Sequence, residues 1–549
     1  MAKKASVSKP KLKKSLPDHL VLAVDDPLMD GLLRAGIGGL AATLHAMERD
    51  KKWKRPETES WSSGDWPWTI ESDRLVIRFP KPDAVIEVLQ PIFEYAFRID
   101  AEEMIDLPSI FPSNNTDPVY RSQLQRGLLL TFLQHGKSRN GAKADVEKRT
   151  ADDKQRAYSY RPIYSYKHQR GYEDLIDTRT GGLTEKIGEL PGTLYPGAAV
   201  RHNAYAGYTK QEATAAQLLA GYFSAIGTLS LPINRGSAVL LVPEPTDLKV
   251  FANYRAKITP KDALSCCIGG TGDAVMQVYA RMRSEEEIKE KRVLVSTVHA
   301  YLFRPTAWAK QQKSRVDAIT VAPLDDRQIE IFEYARAHFQ PRQVVRKEIV
   351  KGAKGQPNQG QETWFYSDSI VRPLIAENLA NNRYWFSGFS RLFVENDPAN
   401  GKPLRDRLLF EKKGLLEMTQ SNVWDHEGHQ ALVRSVHHAL RGRYGRIASE
   451  NEKNPVAMRN RFRGEYDRLR LAFSGAKTAD QFRQAICDLF SRVPANTELQ
   501  ANWTSVLPML DDRNWQHARD LALLAMASYS GKGDKELLQD EEVALSESA

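Results

Sequence analysis

Apolar positions recur along this chain with two periods, and the change from one to the other divides it. Between positions 19 and 55, Leu28, Leu32, Leu33, Ile37, Leu40 and Leu44 fall at helical spacing, in a run broken by Gly36, Gly38 and Gly39. Runs rich in β-branched or alternating apolar residues predict strands over 74–79, 238–242, 292–303 and 317–321. Helical periodicity predicts helices over 84–97, 119–134, 210–225, 273–283, 325–339 and 367–383. The two kinds mix without a steady βαβ rhythm, so the fold class expected is α+β. From Met418 onward the strand signature disappears. Helices are predicted over 422–444, 456–473, 478–491, 497–510 and 515–529, punctuated by Gly475, Pro494 and Pro508. The domains expected are a disordered basic arm (1–16), a mixed α/β unit (17–415), a five-helix bundle (416–530) and an acidic, loose tail (531–549).

Composition narrows the function classes. With 549 residues, 41% hydrophobic and 27% charged, the chain is ordinary globular material with ample length for a core. Its apolar runs fall far short of the ~20 residues a membrane span needs. The three cysteines (Cys266, Cys267, Cys487) exclude a disulfide framework and a four-cysteine zinc site, and fit a reducing cytoplasm. Lysines near the N-terminus precede no apolar segment, so no secretory signal is expected.

The net charge of +9 is concentrated. Residues 137–170 hold ten Lys/Arg against four Asp/Glu, and residues 434–483 hold twelve against five. The remainder is slightly acidic, so the two zones read as docking surfaces for a polyanion, with solvated helix faces as the plainer alternative. In the first zone Lys137, Arg139, Asn140 and Lys143 form a cationic loop with Gly136 and Gly141, and Arg and Asn suit base edges. Beyond it, RAYSYRPIYSYKHQRGY (156–172) interleaves charge and aromatic rings. Tyr158 and Tyr160 share a face if extended, as do Tyr164 and Tyr166, beside Arg161, Lys167 and Arg170. That pattern stacks bases while following phosphates, or packs two half-buried strands. In the second zone Phe462, Tyr466, Leu469 and Phe473 make an apolar stripe, flanked by Arg459, Arg463 and Arg470 on one side and Arg461 and Arg468 on the other. With Arg441 and Arg443 these arginines define a candidate strand path, and part of the set covers the core stripe with its stems.

Enzymatic signatures are scarce, and no phosphate-loop motif occurs. Gly269, Gly270, Thr271 and Gly272 precede a helix at Asp273, so their backbone amides either cradle a phosphate or form a flexible connection. His426 and His429 stand three apart, but His437 lies about 12 Å further along a helix, too far for one ion. Cys266–Cys267 reads as small apolar filling. No metal or cofactor is implied.

Three patches carry a family resemblance: GLLLTFLQHGKSR (127–139), AVLLVPEPTDLKVFA (238–252) and WQHARDLALLAMASY (515–529). They resemble the large subunit of type I CRISPR interference complexes, in particular the I-B-like (MYXAN) group. The resemblance implies a non-catalytic protein that reads the protospacer-adjacent motif in duplex DNA, helps open the strands and recruits a helicase-nuclease or a transposition adaptor. Guide RNA, target duplex and the other complex subunits are the partners implied. By position, the 137–143 loop and the 269–272 turn are the candidates for motif reading and wedging. The bundle corresponds to a small-subunit-like domain, which in related systems arises by internal translation. Met418 is the candidate start, with Lys412–Lys413–Gly414 encodable as a purine-rich ribosome site, and Met458 is its rival. The competing classes are a nuclease, testable by metal-dependent cleavage, and a structural adaptor whose bundle binds an acidic protein.

Overall fold

The structure is a computed structural model that describes residues 16–531, apart from 59–60, 62–63, 112–116, 142–146, 152–155, 186–187, 191–192, 197–211, 234–235, 285–294, 305–314, 351–358, 398–400 and 494. The expected arm and tail, except Leu16 and Gly531, lie outside the described residues, as does Lys143. The fold is α+β, with the sheets before residue 370 and helices after it.

The opening segment is a strand followed by a helix. β1 (His19–Ala23), β2 (Trp68–Ile70) and β3 (Arg74–Arg78) form an antiparallel sheet in the order β1-β3-β2. α1 (Gly31–Arg49) starts where the Asp30 carboxylate accepts from the Leu33 amide at 2.9 Å. It runs unbroken through Gly36, Gly38 and Gly39, contrary to the expected interruption. The reason is packing. α2 (Ile86–Ala96) and α3 (Pro118–Leu130) follow, and α4 (Ala215–Gly227) then lies directly on α1. A Cβ on Gly36 would stand 2.0 Å from the Ala220 carbonyl oxygen, and one on Gly39 2.3 Å from that of Phe223. Reciprocally, a Cβ on Gly227 would stand 1.7 Å from the Ala35 carbonyl oxygen. The two backbones touch because side chains are missing between them.

Between α3 and α4 lie, among other short strands, β4 (Arg139–Gly141), β5 (Glu147–Ala151), β6 (Arg156–Tyr160) and β7 (Ile163–Tyr166). After α4 come β8 (Leu229–Ile233), β9 (Ser237–Pro245), β10 (Val295–Arg304) and β11 (Arg315–Val321), an antiparallel sheet in sequential order. α5 (Thr271–Ser284) packs beside it, and α6 (Asp326–His338) packs on α5. The expected strands over 238–242 and 317–321, and the described part of the one over 292–303, belong to this sheet. A long hairpin was not foreseen: β12 (Arg342–Val350) pairs with β13 (Gln359–Ser367) over nine registers. These strands are too polar to show an apolar alternation, and they join β6 and β5 through a parallel contact, Trp364 to Arg156. α7 (Val371–Ala380) therefore begins after Ser367, not at it.

In the helical region, α8 (Arg405–Gln420) precedes α9 (Glu427–Glu450), α10 (Pro455–Ser474), α11 (Ala479–Ser491) and α12 (Trp515–Ser528). The helix expected over 497–510 is two short helices and a 3₁₀ turn. α8 packs on α12 and passes through 415–416 without a break. Met418 is fully buried within its last turn, ahead of α9. Two histidines of α9 help fill this core. His429 is 3% exposed, its ring 4.8 Å from that of Tyr384 and 5.0 Å from Phe386, and its Nδ1 has no partner. His437 Nε2 lies 3.0 Å from the Ala525 carbonyl oxygen. Burial pushes both imidazoles down to about 4. Among the described residues no group of three or more His, Cys, Asp or Glu is arranged to hold a metal.

Two expectations follow from this packing. Gly36→Ala inserts a methyl against a backbone carbonyl and destabilises by about 1–3 kcal/mol, whereas Gly445→Ala in α9, with nothing within 4 Å, stabilises by up to about 1 kcal/mol. Chemical denaturation of both variants checks the pair. Separately, the folded pKa of His429 lies below its unfolded value near 6.5, so stability is complete above 6.5 and falls as pH drops toward about 4. Between pH 7 and 5, His429→Phe loses about 2 kcal/mol less than the parent in the same assay.

Candidate nucleic-acid interface

The first cationic zone folds into a two-stranded ribbon. β4 and β7 run antiparallel, with Arg139 opposite Tyr166, Asn140 opposite Ser165 and Gly141 opposite Ile163. The register shift leaves Tyr164 without an opposite residue. A β-bulge of this kind turns one side chain away from its neighbours. It separates Tyr164 from Tyr166, which the alternation of an unbroken strand placed on one face. Tyr166 is buried, its hydroxyl donating to the Arg98 carbonyl at 3.4 Å, whereas Tyr164 is 58% exposed. Only glycine fits at 141, where a Cβ would lie 2.3 Å from the Pro162 carbonyl oxygen.

The surrounding residues sort by partner. Asn140 Nδ2 donates across the ribbon to Ser165 Oγ at 2.9 Å. Arg139 turns inward, its Nε donating to the Leu133 carbonyl at 2.8 Å, and burial lowers its pKa. Lys167 is paired with Asp174 at 3.0 Å, and Arg170 Nε donates to Glu173 at 2.7 Å. Lys137 and Arg161 remain, both exposed and without an acidic partner among the described residues. The Arg161 carbonyl accepts from Gln125 Nε2 of α3 at 2.6 Å, while Gln125 Oε1 accepts from the Ile105 amide at 2.7 Å. A buried glutamine on α3 thus fixes the backbone that presents Arg161 and, three residues on, Tyr164. Tyr158 and Tyr160 do share a face, their rings stacked at 6.1 Å, but Tyr160 is buried and the pair packs the sheet.

The glycine turn has a different environment from the one a phosphate needs. A Cβ on Gly269 would lie 2.0 Å from Pro373, and one on Gly272 2.7 Å from a Glu377 carboxylate oxygen. The Gly269 amide already donates to Asp273 at 2.9 Å. Asp273 is fully buried and paired with Arg372 at 2.9 Å, joining α5 to α7. The glycines admit α7, and Glu377 opposes an anion there. Cys266 and Cys267 are held protonated by burial, with no reactive thiolate character.

On the bundle, most of the seven arginines are engaged. Arg443 and Arg468 meet Glu465 at 2.9 and 2.8 Å, and Arg468 also meets Asp488 at 2.7 Å. Burial acts to raise the Glu465 pKa, but Arg468 and Arg443 outweigh it and hold the carboxyl below its ordinary range. Arg470 meets Asp467 at 3.0 Å and Arg461 meets Glu450 at 3.8 Å, while Arg459 has an interaction of its own. Arg441 and Arg463 are exposed and have no acidic partner among the described residues.

A family model described as the DevT N-terminal domain matches residues 21–222, and one described as the DevT C-terminal domain matches residues 420–548. The first contains the ribbon and the second contains α9 to α12. The chain is 34% identical over 542 residues to the CRISPR-associated protein Cas8a1/Csx13 of Myxococcus xanthus (strain DK1622), covering 95% of this chain and 90% of that protein. The chain belongs to the Cas8a1/Csx13 family. This bears out the resemblance to the large subunit of type I CRISPR interference complexes carried by the three sequence patches. In this chain no helix among the described residues is long and apolar enough to cross a membrane.

The two readings of the glycine turn predict different outcomes. Asp273→Ala leaves Arg372 buried without its partner and costs about 3–5 kcal/mol in denaturation. Gly270→Ala, with open space around it, leaves stability and DNA binding within about twofold of the parent.

Proposed function

We propose that this Cas8a1-family chain is the large subunit of a CRISPR interference complex and reads the protospacer-adjacent motif of duplex DNA through the β4–β7 ribbon. The observation that carries the proposal is the bulge that presents Tyr164 between Lys137 and Arg161. The two cations hold the phosphate backbone and set register, and an aromatic ring with Asn140 beside it addresses base edges or an opened step. Tyr164 then supports strand opening by stacking an unpaired base. On the bundle, Arg441 and Arg463 are the remaining candidates for following a separated strand. Guide RNA, the other complex subunits and a helicase-nuclease or transposition adaptor are the partners in this reading. It has the protein act in the cytoplasm, bind nucleic acid without chemistry of its own and need no cofactor. A C-terminal fragment started at Met418 belongs to the same proposal, as a product of about 15 kDa, and its N-terminal residues would come from the last turn of α8.

The test is co-expression with a guide RNA and the neighbouring subunits, followed by duplex binding on a randomised motif library with and without this chain. Motif-dependent binding disappears when the chain is omitted. Tyr164→Ala weakens motif-dependent binding by about tenfold or more, while Lys137→Ala and Arg161→Ala each lower the salt slope by about one. Unchanged motif preference without the chain overturns the reading. Metal-dependent cleavage by the purified protein favours a nuclease instead.

A further inference from the structure

A groove of about 520 Å³ opens between α2 and the segment that leaves α1. An exchange of donors clips this segment to the helix. Pro91, inside α2, has no amide to give the Glu87 carbonyl one turn earlier, and the Trp61 indole Nε1 donates to that carbonyl instead, at 2.8 Å. Trp61 meets Trp53, Trp66 and Trp68 edge-on, with ring centroids 5.6, 6.2 and 5.5 Å away. Trp66 stacks on both Trp53 and Trp68, at 5.9 and 4.9 Å. These indoles hold Trp53, itself half-buried, at the groove, where its ring stands at 82° to that of Tyr95. Ile86, 43% exposed, and Pro91 add to the apolar lining.

Three observations select the occupant. The charged lining is balanced, with Lys54 and Arg98 against Glu87 and Glu94, so a phosphate backbone finds no net attraction there. Arg98 already lies over the Tyr95 ring, 4.5 Å from its centroid, where a cationic ligand would otherwise sit. Thr58, another lining residue, has a buried hydroxyl with no hydrogen-bond partner among the described residues, a donor that a carbonyl would satisfy. These features call for an uncharged, carbonyl-bearing ligand that packs on aromatic rings. An extended chain of prolines has that chemistry. Its rings are apolar, its carbonyls have no partner within a polyproline II helix, and its stiffness keeps the entropy lost on docking small.

We propose that this groove docks an extended, proline-containing segment of a partner protein. The prolines pack on Trp53 and Tyr95 beside Ile86 and Pro91, and one backbone carbonyl accepts from Thr58. Glu94 sets the direction of the segment. It is exposed, accepts from Gln90 Nε2 at 2.7 Å and has no cationic partner among the described residues, so a basic residue next to the prolines pairs with it. The inference concerns a protein contact at α2 and does not depend on motif reading by the ribbon.

Isothermal titration of the full chain with capped peptides tests it. The probes are a run of about eight prolines ending in arginine, the same run ending in glutamate, and an alanine-for-proline version ending in arginine. The proline–arginine peptide binds saturably below about 1 mM, and the alanine version at least about tenfold more weakly. The glutamate-ended run binds about threefold or more weakly than the arginine-ended one. Trp53→Ala weakens the proline–arginine peptide by about tenfold or more. Glu94→Gln, at an exposed position, keeps the parent's melting profile and removes the preference for arginine over glutamate. No saturable binding of the proline–arginine peptide at millimolar concentration overturns the proposal. Equal binding of the alanine version, unchanged binding by Trp53→Ala, or an arginine preference that survives Glu94→Gln overturns it as well. Displacement of the peptide by oligothymidylate assigns the rings to nucleic acid and likewise overturns it.

Discussion

The contact on which the α/β part depends is the bare backbone seam between α1 and α4. Gly36 and Gly39 on one helix and Gly227 on the other leave no room for a methyl group, so the two backbones pack directly against each other. α4 feeds directly into β8, and its Tyr222 lies where a Cβ on Gly171 would come within 2.6 Å of the ring. The 3₁₀ segment Lys167–Leu175 is thereby pressed onto α4, and that segment continues straight from β7. Tyr222 also hydrogen-bonds Asp174, which in turn holds Lys167. The position of the ribbon is thus set from its C-terminal end by the seam and from its N-terminal end by Gln125 and α3. An exposed tyrosine on a two-stranded ribbon is poorly fixed by its own pairing. Here both ends are tied to buried elements.

Several of the charges in the two cationic zones are taken up within the chain. Glu465 gathers Arg443 and Arg468, Asp467 takes Arg470, and Asp174 and Glu173 take Lys167 and Arg170. Of the residues singled out in the sequence, Lys137 and Arg161 at the ribbon and Arg441 and Arg463 on the bundle have no acidic partner among the described residues. A few unpaired cations at defined places give register on a phosphate backbone, whereas a uniformly basic face gives affinity without register. Membership of the Cas8a1/Csx13 family is consistent with such economy, since in an RNA-guided complex base pairing carries most of the sequence discrimination.

α8 joins the two parts of the chain. It packs on α6 and on α12, its buried Met418 belongs to the continuous core, and the C-terminal family match begins at residue 420, at its end. The helix is therefore both the last element outside that match and one wall of the bundle.

The sequence by itself determined the fold class, three strands of the sequential sheet though not β8, most of the bundle helices and the family, because apolar periodicity and long local runs are written residue by residue. It also marked the two zones of cationic charge. It did not reveal that α1 passes through its glycines, since a glycine that breaks a helix and one that admits a second helix look alike until the second helix is in place. It missed β12 and β13, whose polar residues give no alternation, and it put Tyr164 with Tyr166, because a bulge is a property of two strands in register. Above all it could not separate paired from unpaired arginines. Glu465 lies 22 positions from Arg443, and Asp174 lies seven from Lys167, so only the packed chain decides which positive charges are already neutralised and which still face solvent.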